Sequence, residues 1–463
     1  MMRRFALRRR ASFLPVLLIL VASAAPFGVA LADEDALPRR TYFGAQVAPL
    51  PPAKAAEHGL KEATGLEVQS VLPDSPAQKA GLREGDLLLS LDKSPLNAPA
   101  DLVSGTAHRK PGAAVSLEML RGRARSSKTV KLLELPRESS NEYRILYGSV
   151  KISTGRLRTI LTKPKAPGRY PALFIIQGIG TFSVERLPGG IDYYGPIVED
   201  FATHGCATLR VDKPGCGDSE GGPLQDADFE TQLDGFRQGL AMLTSDPEIN
   251  PGRIFIFGHS MGGVWGPILA QERPVRGIAV YGTVVKTWME YSLENGRRQE
   301  SLSGKPPAQI DLAMRREAAA SHYLYTEKMT PAQMLAAHPE LREWANESLV
   351  QDTYYSGLHY RFLQQLSDRN LAAVWTAITG PVLAVWGKGD FLSSEEDHRL
   401  IAQIASARPG GGGEFIALED SDHGFFKAGT LEESFAGWGN WGRERNWAIV
   451  RILREWTNKI ISG

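Results

Sequence analysis

Arg253-Ile254-Phe255-Ile256-Phe257-Gly258-His259-Ser260-Met261-Gly262-Gly263-Val264-Trp265-Gly266-Pro267-Ile268-Leu269-Ala270 changes its hydrophobic pattern twice. The apolar run ending at Phe257 reads as a strand buried on both faces. Gly262–Gln271 opens with small residues and reads as a helix. Between them, Gly258-His259-Ser260-Met261-Gly262 has the G-x-S-x-G spacing that sets a serine hydroxyl on a sharp strand-to-helix turn. The same spacing recurs at Gly217-Asp218-Ser219-Glu220-Gly221, but that serine lies past the end of its strand and runs into Gly221-Gly222-Pro223, which is loop chemistry. Ser260 is therefore the candidate nucleophile, and Ser219 a turn residue.

Outward from this turn, strand and helix patterns alternate. Strands are expected at Pro171–Gln177, Cys206–Asp212, Gly277–Tyr281, Pro381–Trp386 and Glu414–Leu418, and helices at Ile191–His204, Phe229–Leu243 and Arg443–Ile460. Such alternation implies a parallel sheet covered by helices on both faces. About 100 residues separate Tyr281 from Pro381, far more than a connection needs. Leu312–Ser321, Pro331–His338, Pro339–Ser348 and His359–Ser367 are helical in pattern, so residues 286–375 read as an inserted cap. Its aromatics, including Trp288, Tyr291, Tyr323, Tyr325, Trp344, Tyr354 and Tyr355, either line an acyl or aryl pocket or form the cap's own core.

With its G-x-S-x-G turn, residues 141–463 resemble an α/β-hydrolase: an α/β fold with a mostly parallel sheet and a helical cap insertion. The resemblance implies a serine hydrolase with the chain order nucleophile, acid, histidine. A serine hydroxyl attacks well only when a histidine takes its proton and a carboxylate orients that histidine. Asp390, just past the strand Pro381–Trp386, is the candidate acid. Asp397 competes but opens the next helix, where a carboxylate has a structural role. His423, in the loop Glu419–Phe425, is the candidate base. The Met261 amide is one expected oxyanion donor. The loop Gln177-Gly178-Ile179-Gly180-Thr181 resembles the family's His-Gly motif with Gln177 in the place of histidine, which puts the second donor at Ile179 or Gly180. Asp212-Lys213-Pro214-Gly215-Cys216-Gly217-Asp218-Ser219 resembles the family's D-x-x-G-x-G-x-S loop and reads as rim structure.

Before this domain, Gly65–Leu72 alternates as a strand, a one-turn helix follows Pro73, Arg83-Glu84-Gly85-Asp86 is a tight turn, and Asp86–Leu91 is a buried strand. Pro99–Lys110 reads as an amphipathic helix, with closing strands at Ala114–Leu120 and Thr129–Leu135. Val71–Asp92, VLPDSPAQKAGLREGDLLLSLD, is similar to the PDZ domains of bacterial periplasmic proteases, over about 41–136. The resemblance implies a small α+β domain that takes a peptide C-terminus at Tyr42-Phe43-Gly44-Ala45, the peptide adding a strand beside Gly44–Val47. A polar stretch, Pro136–Asn141, links the two domains.

Residues 1–32 carry Arg3, Arg4, Arg8, Arg9 and Arg10, an apolar run from Phe13 to about Ala25, and Ala30-Leu31-Ala32. This is the pattern of an export signal, with only a loose twin-arginine match, and it implies a periplasmic or secreted protein. The 53 basic and 52 acidic groups of the chain become 48 and 52 without that leader. Neither balance suits a nucleic-acid binder. No later run is long enough to span a bilayer. The two cysteines, Cys206 and Cys216, flank a strand of roughly 20 Å, against the about 7 Å a disulfide allows, so both are expected as free thiols. No H-E-x-x-H, C-x-x-C or phosphate-loop pattern occurs, so no metal or cofactor is expected. The reading is an exported serine hydrolase of a carboxylic ester or related acyl bond, acting on a small-molecule or peptide acyl substrate. A serine peptidase, and a PDZ adaptor with an inactive hydrolase domain, remain as rival readings.

Overall fold

The computed structural model describes residues 35–60, 64–107, 109–180, 182–186, 192–355 and 357–463. The expected export signal, Met1–Ala32, lies outside them, as does Thr181.

The larger part of the chain is built on an eight-stranded sheet. Across it the strands run Gly413–Leu418, Val382–Gly387, Gly277–Tyr281, Ile249–His259, Tyr170–Ile176, Ala207–Val211, Gly155–Pro164 and Tyr143–Ile152. The first six are mutually parallel, and the last two add an antiparallel hairpin. Side chains alternate between faces. Phe174, Ile176 and Ile256 pack under the helices Phe229–Ser245 and Gly262–Glu272, while Leu173, Ile175, Phe255 and Phe257 pack under Gly195–Thr203 and Ala448–Ser462. Burying each of these large side chains stabilises the fold by roughly 1.5–3 kcal/mol. The α/β-hydrolase architecture is therefore the observed one. The chain leaves Tyr170–Ile176 toward Ala207–Val211 on one side and returns to Ile249–His259 on the other, so the C-terminal ends of the two central strands open a crevice.

The observed elements differ from the expected ones in three places. The hairpin Tyr143–Ile152/Gly155–Pro164 was not anticipated, because it buries Arg158 and Lys163 and so reads as polar. The closing helix starts at Ala448, not Arg443. Arg443 is drawn to Asp422, and Phe426 and Arg445 form a β-bridge, so this segment braces the His423 loop instead of coiling. The expected strand Thr129–Leu135 is two: Ala124–Lys131 completes a hairpin, and Leu133–Glu134 pairs with Thr41–Tyr42. Cys206 and Cys216 are both free and buried.

The cap contains the helices Trp288–Leu302, Pro307–Ser321, Pro331–Ala337, Arg342–Ser348, Tyr360–Ser367 and Leu371–Ala377. The first was missed although Thr287 and Glu290 form a capping box at its start. Trp344, Tyr355 and Tyr325 are buried in a core continuous with the main sheet, where Phe362 meets Phe229 at 5.5 Å and Trp265 at 6.0 Å. These cap aromatics are core residues, and Trp344 also borders a cavity within the cap lined by Glu300, Lys305 and Glu347.

The N-terminal part has its own sheet, ordered Ala45–Pro49, Leu66–Val71, Leu87–Leu91, Ala114–Arg121 and Ala124–Lys131. Its core holds Leu66, Val68, Leu88, Leu91, Leu117 and Val130. Ala45–Pro49 is an edge strand with the helix Pro99–Ala107 beside it, the layout of a PDZ domain.

The lead-in to this small domain is anchored on the large one by buried charge. Arg158 donates to Glu185 (2.6 Å), Asp218 (2.8 Å) and Asp212 (2.8 Å), and Arg39 donates to Glu185 (2.9 Å) and also pairs with Asp218. The Tyr147 hydroxyl donates to Glu185 as well (2.6 Å). All these groups are buried. Removing one cation from such a cluster strands the carboxylates without compensation. Arg158→Met is accordingly expected to lower stability by about 3–5 kcal/mol, read as a shift of the urea midpoint. A shift worth less than about 1 kcal/mol would mean that the cluster does not hold the fold.

Candidate functional site

Ser260 sits where the central strand Ile249–His259 ends, with φ +56°, the left-handed region that a serine seldom occupies. The turn is this tight because helix and strand nearly touch. A Cβ on Gly262 would lie 2.0 Å from the Ile176 carbonyl oxygen, and one on Gly258 would lie 2.4 Å from the Gly262 oxygen. The Ser260 amide donates to the Tyr281 carbonyl at the end of the neighbouring strand (2.8 Å).

His423 Nδ1 meets Asp390 Oδ2 at 2.9 Å. Both lie against the residue after Tyr281: a Cβ on Gly282 would be 2.9 Å from His423 Nδ1 and 3.1 Å from Asp390 Oδ2. Ser260, Asp390 and His423 thus converge on the Tyr281–Gly282 backbone from three separate strand ends. Asp390 is fully buried and accepts from the Leu392 and Ser393 amides (2.8 and 3.0 Å) and the Ser393 hydroxyl (2.6 Å). Burial alone would raise its pKa, but the charge and hydrogen bond of His423 and the Ser393 bonds hold it well below the usual carboxylate range. For His423, burial opposes the charged form, yet the Asp390 charge and hydrogen bond outweigh it and raise the pKa above the ordinary value. With Nδ1 engaged by the carboxylate, Nε2 is the nitrogen left to exchange a proton.

The His423 loop is held from behind. His259 Nε2 contacts the His423 carbonyl at 2.8 Å, and the Tyr281 hydroxyl donates to the Asp422 carbonyl at 2.6 Å. Burial and the neighbouring His423 push His259 down to about 3, so it stays neutral. The competing groups have structural roles. Asp397 accepts from the Val285 amide (2.9 Å), and the Ser219 hydroxyl accepts from the Arg158 amide (2.9 Å).

Gly178 abuts Ser260: a Cβ there would stand 2.7 Å from Ser260 Cβ and 3.1 Å from its Oγ. The Gln177 side chain, in the place of the expected histidine, donates to the Val211 carbonyl (3.3 Å) and ties the loop to the next strand. The Gly178 carbonyl is turned to Lys213 Nζ (2.7 Å). In a planar trans peptide the Ile179 N–H then points the opposite way. The Met261 N–H opens the helix Gly262–Glu272.

Four rings outside the cap were not singled out from the sequence. Phe182 stacks on Tyr193 (4.4 Å), Tyr193 meets Trp441 (6.2 Å), Trp441 meets Trp438 (5.8 Å), and Trp438 lies 6.3 Å from the His423 ring. All four are partly exposed. They form an arc from the end of the Gln177–Gly180 loop to His423. They are separated by as much as 259 residues in sequence and carry no shared motif, so only the fold brings them together.

In the small domain the Gly44 carbonyl accepts from the Leu72 amide (2.9 Å), and the Phe43 carbonyl accepts from the Ala77 amide (2.9 Å). The same peptide planarity sends the Ala45 and Gly44 N–H groups to the opposite sides. Gly44 has φ +83°, and a Cβ there would strike Ser75 Cβ at 2.2 Å. Tyr42 pairs with Leu133 at the foot of this loop. The helix Pro52–Glu57 packs through Ala55, together with Leu50 just before it, on Leu87 and Leu120, and His58 bonds the Gly122 carbonyl. That places it at the far hairpin and not over the edge strand. Among the described residues no cluster could hold a metal ion, and no helix is long and apolar enough to cross a membrane.

Residues 186–411 match a family model described as serine aminopeptidase, S33, and residues 28–132 match one described as PDZ domain. The first span includes Ser260 and Asp390 and ends before His423. A probable periplasmic serine endoprotease, DegP-like, of Pseudomonas fulva is 33% identical over 124 residues, 26% of this chain and 26% of its own. The chain thus spans about a quarter of the length of that relative. Polyketide transferase ATR5 of Stachybotrys chlorohalonatus is 26% identical over 265 residues, 55% of this chain and 82% of its own. Among solved structures, Est1E from Butyrivibrio proteoclasticus aligns with a TM-score of 0.42 at 13% identity, covering 69% of this chain and 99% of its own.

Because the His423 pKa is raised, the neutral base is lost as pH falls through a value above about 6.5. Any Ser260-dependent turnover should therefore decline on the acid side with an apparent pKa above about 6.5. In Asp390→Asn the carboxylate charge is gone. The limb should move to lower pH and kcat should fall by about 10⁴-fold. An acid limb that stays in place in that variant would assign the orienting role to another group.

Proposed function

We propose that this chain, which joins a PDZ domain to an α/β-hydrolase domain, is an exported serine hydrolase that cleaves a carboxylic ester through an acyl-enzyme. The observation that carries this reading is the left-handed Ser260 set against the same backbone as the Asp390–His423 pair.

In this mechanism Ser260 Oγ attacks the ester carbonyl carbon while His423 Nε2 takes its proton. The Asp390 carboxylate stabilises the resulting imidazolium and keeps the ring in the required tautomer. The oxyanion of the tetrahedral intermediate accepts hydrogen bonds from the Met261 and Ile179 amides. Collapse breaks the carbon–oxygen bond of the ester, and His423 returns the proton to the departing alcohol. Water then repeats the sequence on the acyl-enzyme and releases the carboxylic acid and free Ser260.

The ring arc Phe182–Tyr193–Trp441–Trp438 supports an aromatic group on the substrate, since partly exposed rings favour offset or edge contacts with another ring. At the PDZ domain, the Gly44 and Ala45 amides and the edge strand Ala45–Pro49 support binding of a protein C-terminus, with the Tyr42–Ala45 loop facing the carboxylate. Export rests on the leader and its Ala30-Leu31-Ala32 site. The aminopeptidase-type description of the matched family favours a second reading, hydrolysis of an aminoacyl bond.

Methyl esters of benzoic or cinnamic acid should be turned over with kcat/KM about fivefold above a methyl alkanoate of equal size, since a well-placed ring pair adds roughly 1 kcal/mol. Both should exceed aminoacyl anilides. A fluorophosphonate should label the protein but not Ser260→Ala. Faster turnover of the anilides would select the peptidase, and equal labelling of Ser260→Ala would remove the serine mechanism.

A peptide ending in an apolar residue should bind the PDZ domain and lose at least about tenfold in affinity on C-terminal amidation, by calorimetry. Equal affinity of acid and amide would exclude carboxylate capture at Tyr42–Ala45.

A further inference from the structure

Lys213 is 1% exposed, and no carboxylate lies within ion-pair distance of it among the described residues. The carboxylate next in sequence, Asp212, is engaged by Arg158, Ser183 and the Val184 amide. A buried cation without a counter-charge carries a large desolvation cost. What surrounds Lys213 instead is the oxyanion loop. Its Nζ donates to the Gly178 carbonyl at 2.7 Å and to the Gly180 carbonyl at 2.6 Å, and it lies 5.7 Å from the centroid of Phe182. Its own loop is clamped in turn. Arg40 donates to the Gly215 and Ser219 carbonyls, both at 3.1 Å, and the Cys216 amide donates to the Lys213 carbonyl at 3.0 Å.

We propose that Lys213 is a positioning residue for the reaction: its ammonium holds the Gly178–Ile179 peptide with the carbonyl inward, and so aims the Ile179 N–H at the oxyanion formed on the Ser260 side. The proposal rests on the serine-hydrolase reading above. Two physical effects act together. The trans-planar peptide couples the direction of its C=O to that of its N–H, so anchoring one end sets the other. A carbonyl that accepts from a cation also polarises its peptide, which makes the N–H a stronger donor in a water-poor site. Gly178 has no side chain to resist rotation of this peptide, and Gly180, at φ +139°, is in a region that few other residues adopt. The loop therefore has little conformational preference of its own beyond the Gln177 tie to Val211, and at the Gly178–Ile179 peptide the lysine supplies the restraint.

The charged and titratable groups that act on the ammonium are Cys216 and Asp212 on its own loop, and Arg40 in the lead-in and Arg158 on the adjoining strand act in turn on Cys216. Burial pushes Lys213 down to about 8, with Cys216 and Asp212 opposing that shift. Burial likewise pushes the Cys216 thiol up to about 11. As pH rises through about 8, the ammonium is the group here that loses its charge.

The test uses the full exported chain with p-nitrophenyl butyrate, corrected for spontaneous hydrolysis. In the unaltered protein, kcat should fall on the alkaline side with a midpoint near pH 8, while KM stays constant. Lys213→Met should lower kcat by about 10- to 100-fold with KM changed less than about threefold, and its residual activity should lack the alkaline limb. Lys213→Arg keeps the charge, so it should retain more activity than the methionine variant and also lack the limb. A kcat in Lys213→Met within about threefold of the unaltered protein overturns the proposal, as does an alkaline limb that persists in it. If the methionine variant does not fold, a flat kcat between about pH 7 and 10 in the unaltered protein overturns it alone. A chain that neither turns over the ester nor reacts with a fluorophosphonate removes the hydrolase reading, and the positioning role with it. An active chain with an equally active Lys213→Met removes only the positioning role.

Discussion

The left-handed conformation of Ser260 is the constraint on which the site is built. It costs roughly 1–3 kcal/mol relative to an ordinary backbone and persists only because its surroundings allow no alternative. The strand before it is paired on both sides, the helix after it leaves no room for a Cβ at Gly262, and its own amide is taken by Tyr281. Sheet and helix packing therefore supply the energy that holds the hydroxyl out of the turn. Since the two central strands end at the point where strand order reverses, the loops that follow their neighbours fall around the same spot. Asp390, His423 and Gly178 arrive there as consequences of strand order, not of sequence proximity.

A second constraint is the buried charge beneath those loops. Arg158 and Arg39 join Glu185, Asp212 and Asp218, so one cluster spans the lead-in to the PDZ domain, the hairpin at the sheet's edge and the loop that carries Lys213. Buried ions add little to stability over a well-packed apolar core, but their geometry admits few alternatives. They fix where segments sit. In this chain, that means the Asp212–Ser219 loop is not a passive rim. It connects the lead-in of the small domain, through Arg40 and Lys213, to the Gly178 backbone beside Ser260.

The cap divides the work differently from its aromatic content. Most of its large rings close a core with Trp265 and Phe362, because an inserted helical layer must bury its own apolar faces before it can offer any to a ligand. The rings of the arc beside His423 come from the segment just after the Gln177–Gly180 loop, the segment before Gly195–Thr203 and the stretch before the closing helix. In that last stretch Arg445 lies over Tyr193, Phe426 and Trp447, and these contacts override the helical pattern that begins at Arg443.

Legible along the chain were the parallel sheet, the G-x-S-x-G turn at Ser260, the candidates Asp390 and His423 that follow later strands, and the PDZ pattern around Val71–Asp92. Each of these is written in short-range terms: hydrophobic period, glycine where backbones crowd, and a polar residue directly after a strand. The remaining features arise from long-range packing. It placed Asp390 and His423 against Gly282, turned the Gly178 carbonyl to Lys213, gathered the ring arc from distant segments, and buried Arg158 in a strand that reads as polar. Those outcomes depend on which strand ends become neighbours and on how buried charges find partners. Such contacts span tens to hundreds of residues and leave no periodic trace along the chain.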